Sequence, residues 1–107
     1  MPAVCVIVAY RPKPGKGSEL LALVRNRVPT LRAEDLVTDR VPALMRSRDG
    51  TIIEVSEWKS HEAIEAAHKN PTVLAMWDKF FALCDCIPLQ ELSEAKEMFA
   101  GFEPLDG

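Results

Sequence analysis

Residues 48–58 read Arg48-Asp49-Gly50-Thr51-Ile52-Ile53-Glu54-Val55-Ser56-Glu57-Trp58. Asp-Gly takes up positive φ angles readily, so Asp49-Gly50 marks a tight hairpin turn. Beyond it, Ile53, Val55 and Glu57 fall on one side of an extended chain; Ile52, Glu54, Ser56 and Trp58 fall on the other, which is the period of a strand. Residues 36–47 supply the other arm. With a carboxylate on each side of this apolar strand, at least one of Glu54 and Glu57 meets a partly buried environment. Burial raises a carboxyl pKa and suits it to act as base or hydrogen-bond donor. An ion pair with Arg46 or Arg40 across the hairpin is the simpler role.

Toward the N-terminus, residues 4–10 are β-branched or apolar on both sides: Val4, Val6 and Val8 on one, Cys5, Ile7 and Ala9 on the other. Such a strand is covered on both faces. Pro12-Lys13-Pro14-Gly15 ends it. A helix follows with Ser18 as N-cap and Leu20, Leu21, Leu23, Val24 and Val28 as its apolar side. Pro29 ends that helix and opens a short turn over residues 31–34.

Toward the C-terminus, Ser60 caps a helix reaching about residue 69, with His61, Ile64 and His68 on one stripe. Asn70-Pro71 then reads as the N-cap and first residue of a second helix. Its stripe is Val73, Met76, Trp77, Phe80 and Cys84, widened by Leu74 and Phe81. Residues 86–92 read as a last strand. Ser93 caps a short helix over residues 94–100, with Ala95, Met98 and Phe99 turned inward and Gly101 at its end.

The core order is β-α-β-β-α-β, the order of an α+β ferredoxin-like sandwich, in which an antiparallel four-stranded sheet has strand order 4-1-3-2. Proline supports this, because a strand proline belongs at an edge. Pro42 and Pro88 fall in the second and fourth strands, the two edges. Two helices cover only one face of such a sheet. The other face, apolar in the first strand, calls for a second copy packed sheet to sheet, a homodimer.

The 107 residues suit one domain over residues 1–107. A net charge of −3 gives no basic footprint for nucleic acid. The apolar run at residues 4–10 is too short for a signal peptide or a membrane span. Three cysteines, Cys5, Cys84 and Cys86, make an odd count without a signal peptide, which points to reduced thiols in a cytoplasmic protein. No residues show convincing metal-ligand spacing, and none form a phosphate-cradling loop or nucleophile elbow.

What remains is a pocket-like set. Trp58, Trp77, Phe80 and Phe81 offer ring surface for a flat aromatic ligand, and His68 offers one polar group beside them, the usual build of a small-molecule site. Core packing is the plainer role for the rings, and a structural one for His68.

The segment Val8-Ala9-Tyr10-Arg11-Pro12-Lys13-Pro14-Gly15-Lys16, followed by Glu19-Leu20, resembles the first strand and turn of the antibiotic biosynthesis monooxygenase family. Glu57-Trp58-Lys59-Ser60, then Ala63-Ile64, Ala66 and Pro71, resembles its third strand and following helix. The resemblance implies a dimeric α/β barrel of ferredoxin-like subunits. It also implies a cofactor-independent monooxygenase acting on an aromatic or quinol substrate, with His68 as catalytic proton acceptor and no metal. The alternative on the same fold is a non-catalytic small-ligand or stress-associated binding protein. Haem binding or degradation is a weaker third, since that group has an Asn in the first strand and this chain does not. The family's helix histidine falls nine residues after the tryptophan, at Ala67 here. His68 follows it, about 100° further around a helix.

Overall fold

In the computed structural model, which describes residues 2–105, the turn sits where the sequence puts it. Ser47 and Thr51 close it through Ser47 N–H donating to Thr51 O at 2.8 Å, and Gly50 N–H donates to Ser47 O at 3.0 Å. Gly50 has φ +92°, so the loop is a type I turn completed by a left-handed glycine, one residue longer than the tightest form. Asp49 pins it by accepting from the Ser47 hydroxyl and from Thr51 N–H.

The strands are β1 (Val4–Pro12), β2 (Ala43–Arg46), β3 (Ile52–Trp58), β4 (Cys84–Ile87) and β5 (Glu103–Leu105). The helices are α1 (Gly17–Ala33), α2 (His61–Ala67) and α3 (Pro71–Leu83). The sheet is five-stranded and antiparallel, in order β4-β1-β3-β2-β5. The expected four strands lie in their expected order, and β5 adds a fifth outside β2. The helices pack on the face formed by Val6, Val8 and Tyr10 of β1 and Ile52 and Trp58 of β3, with Leu20, Val24, Val28, Leu31, Val73, Met76 and Phe80 opposite them.

Several local expectations are corrected. Helix α1 begins at Gly17 behind Lys16, without a side-chain cap from Ser18, and it runs through Pro29 to Ala33. Pro29 removes one N–H donor, but Val28 and Leu31 on either side are buried, and that packing carries the helix past it. The second strand is interrupted. Val37 makes an isolated bridge to Trp58, and pairing resumes only at Ala43, after the donor-less Pro42. Helix α3 stops at Leu83, so the fourth strand starts at Cys84 and ends before Pro88.

The expected C-terminal helix is absent. Leu89–Glu91 and Ser93–Lys96 form two short 3₁₀ turns, and Met98 and Phe99 are 91% and 86% exposed rather than inward. Glu94, buried at the start of the second turn, accepts the Arg48 backbone N–H at 2.8 Å, so a tertiary contact replaces helical pairing. This segment folds across the outer face of the sheet. Leu92 packs there on Ala9 and Ile53, with Ile87, Met45 and Phe102 around them. The outer face is therefore partly covered by the chain's own C-terminal segment, and Ile7 remains 49% exposed beside it.

Candidate functional site

A cavity of about 190 Å³ opens between α3, α1 and the sheet. Its apolar walls are Val8, Trp77, Phe80 and Phe81, and Tyr10, Arg27 and Cys86 bring polar groups. Local structure accounts for each position. Val8 and Tyr10 alternate onto the helix-covered side of β1. Tyr10 pairs with Cys86 in the β1–β4 register, which brings the thiol to the same rim. Trp77, Phe80 and Phe81 lie three and four residues apart on α3, one side of a helix. The Tyr10 and Phe80 rings stack at 5.0 Å with 24° between planes.

Behind the cavity lies a buried polar network. Arg27 Nη1 donates to Glu54 Oε1 at 2.7 Å, and the Tyr10 hydroxyl donates to the same oxygen at 3.1 Å. Arg27 also reaches Ser56 Oγ at 3.4 Å, and its guanidinium lies 5.8 Å above the Trp58 ring centre. The Arg27 and Glu54 side chains are 7% and 1% exposed, so water contributes almost nothing to their solvation. Glu54 Oε2 has no hydrogen-bond partner among the described residues. Burial raises the Glu54 carboxyl above its ordinary range, opposed by Arg27 and by the Tyr10 hydrogen bond. Burial likewise pushes the Tyr10 phenol far up, with Arg27 opposing and Glu54 adding to the rise. Cys86 is raised by burial, and the neighbouring Cys84 is pushed up to about 12 by the same cause, so both are thiols near neutral pH.

Three of the five residues read from the sequence, Trp77, Phe80 and Phe81, come together on this cavity. Trp58 is buried in the main core beneath Arg27, not among the cavity's lining residues. His68 is the exposed C-cap of α2, and its ring stands edge-on to Trp77 at 5.0 Å without being among the cavity's lining residues. Ala67, the position where the resembling family carries its histidine, is fully buried.

The two carboxylates have separate roles. Glu57, on the outer face, accepts from Thr38 at 2.8 Å and pairs with Arg40 at 3.1 Å, as the simpler sequence reading has it. Glu54 pairs with Arg27 instead of Arg46, which is bound to Glu103. Sequence reasoning missed Arg27, although a signal was there. Arg27 falls seven residues after Leu20, three after Val24 and four before Leu31, so a charge interrupts the apolar stripe facing the strand that carries Glu54.

Among the described residues, no group of three or more His, Cys, Asp or Glu side chains is placed to hold a metal ion. No helix among them is long and apolar enough to cross a membrane.

Comparison with known proteins agrees with this architecture. The structure of Rv0793 from Mycobacterium tuberculosis is similar, with a TM-score of 0.64 and 26% sequence identity, over 80% of this chain and 89% of that one. No curated protein matches the sequence. The family described as antibiotic biosynthesis monooxygenase matches residues 3–79, which span β1 through most of α3 and hold every cavity-lining residue except Phe80, Phe81 and Cys86. On that match, the chain belongs to the antibiotic biosynthesis monooxygenase family.

Proposed function

We propose that the cavity takes a small aromatic molecule bearing a ring hydroxyl, a phenol or quinol, and that the protein oxidises it with molecular oxygen. The observation that carries this reading is an aromatic-walled cavity ending on Tyr10 and Arg27. Rings of Trp77, Phe80 and Phe81 suit a flat ligand, and the two polar groups give its hydroxyl one orientation. A volume of about 190 Å³ favours a one- or two-ring compound over a haem.

Family membership supports a monooxygenase-type reaction. The chemistry starts with loss of the hydroxyl proton. The electron-rich anion then reduces oxygen directly, while the protein binds, orients and excludes water. No metal or organic cofactor enters this reading. A homodimer completes it. The strip around Ile7 and Val55 on the outer face, left bare by the C-terminal segment, packs against the same strip of a second copy.

A non-catalytic binding protein is the second reading, favoured by Ala67 filling the interior helix position while His68 faces solvent. Oxygen uptake with a panel of one- and two-ring quinols and naphthols, in the presence of a chelator, separates the two. Uptake that needs the folded protein supports the oxygenase. Saturable binding of the same compounds without uptake supports the binding protein.

A further inference from the structure

We propose that Glu54 is the terminal proton acceptor of the cavity, reached through the Tyr10 hydroxyl, and that Arg27 receives the anion left behind. This rests on the cavity being the ligand site. The geometry is already a relay. Tyr10 lines the cavity and donates to Glu54 Oε1 at 3.1 Å, and Arg27 lines the cavity and donates to the same oxygen at 2.7 Å.

The ligand's O–H bond breaks and its proton bonds to the Tyr10 oxygen. Tyr10's own proton passes to Glu54 Oε1. The products are a ligand anion and a neutral Glu54, with Tyr10 unchanged. Arg27 exchanges one anionic partner for another, so the net charge of the site is the same before and after. That balance is what makes the transfer feasible away from water, where creating a lone charge is expensive.

Two features of Glu54 favour proton uptake. Its side chain is 1% exposed, and its second oxygen, Oε2, has no donor among the described residues, so the carboxylate is under-solvated. The ionisable groups around it are Tyr10 from β1 and Arg27 from α1, with Cys86 of β4 acting on Tyr10. Burial raises Glu54, and the raised Cys86 stays neutral and adds no competing charge. The ligand class this selects is an acidified phenol or enol, whose proton a carboxylate can accept when a guanidinium takes the resulting anion.

The test uses the full chain and 4-nitrophenol, whose phenolate is coloured, in weakly buffered solution containing a pH indicator. Below the probe's solution pKa, the wild type is expected to form bound phenolate without releasing a proton, because the proton stays on Glu54. Y10F keeps the stacked ring, so it is expected to bind the probe with less than tenfold loss and leave it as neutral phenol. In E54Q, any phenolate formed is expected to release one proton to solvent. Circular dichroism establishes that each variant is folded, and Y10F decides the matter if E54Q is not. The proposal is overturned if wild type releases a proton for each phenolate formed, if the bound probe stays neutral, or if Y10F ionises it as wild type does. Failure of wild type to bind any nitrophenol, naphthol or quinol overturns the ligand-site reading together with the proposal; binding without ionisation overturns the proposal alone.

Discussion

Arg27 Nη1 stands 2.7 Å from Glu54 Oε1 with both side chains almost wholly withdrawn from water. A buried pair of this kind contributes little net stability while intact, yet loss of one partner strands the other charge. R27A or E54A is expected to lose about 3–5 kcal/mol. The double replacement R27M/E54L, apolar and close in volume, is expected to recover most of that loss. Urea unfolding of the three variants checks it, and a double variant as unstable as either single would show that the pair itself carries the stability.

Acid unfolding is expected to have a component from Asp49 in the hairpin turn. The Ser47 hydroxyl does most to lower its carboxyl from 3.8 to about 2; burial opposes this, and Thr51 and Arg11 add to the lowering. A folded pKa below the unfolded one means that the stability is present above 3.8 and is lost as pH falls toward 2. Glu54 has the opposite sign. Its folded carboxyl is raised from 4.5, so its ionisation costs stability as pH climbs above that value. Asp49→Asn keeps an acceptor in the turn and is expected to flatten the stability profile between pH 4 and 2. Melting curves across that range measure it.

Gly50 has φ +92°, and a Cβ there meets nothing within 4 Å. The expected cost of Gly50→Ala is therefore that of the left-handed backbone alone, about 1–2 kcal/mol. Gly50→Asn is expected to cost less, since Asn tolerates that region. A larger loss for Ala in urea unfolding would point to a steric contact.

His68→Ala removes an edge-on contact with Trp77 and nothing else in the cavity wall. It is expected to cost about 0.5–1.5 kcal/mol, to change Trp77 fluorescence, and to alter aromatic-ligand affinity by less than tenfold. Calorimetric titration of wild type and variant decides it. A hundredfold loss of turnover at unchanged affinity would return His68 to the chemistry.

Sedimentation at micromolar concentration is expected to give twice the 11.9 kDa chain mass. Ile7→Glu, in the middle of the bare strip, is expected to shift the protein to monomer. A wild-type monomer would remove the proposed sheet-to-sheet packing.

The core of the fold was legible because its signals are local. Alternation in residues 4–10 and 51–58, the Asp49-Gly50 turn and the Asn70-Pro71 helix start each depend on a few adjacent residues, and Asn70 does cap α3 through Thr72 and Val73. Residues 93–100 misled for the complementary reason. Ser-Glu-Ala-Lys-Glu-Met-Phe-Ala has good helix propensity, but Glu94 is drawn to Arg48, forty-six residues away, and the helix does not form. The site divides the same way. The α3 rings share one helix face and were found together, whereas Arg27, Glu54 and Tyr10 meet only when three elements pack. The sequence shows that at least one of Glu54 and Glu57 is partly buried, but not which of the two, nor that Arg27 is the partner.

Both open edges of the sheet are short and carry proline beside or within them. Strand β4 ends at Ile87 before Pro88, and the three residues of β5 centre on Pro104. A proline presents no N–H to an incoming strand, so each edge offers only a short ladder before it is interrupted, a poor template for a growing cross-β fibril. Under partial unfolding the vulnerable element is then β2, exposed once the brief β5 peels away. Its sequence Ala43-Leu44-Met45-Arg46 has a charge at its end that acts as a gatekeeper against such growth.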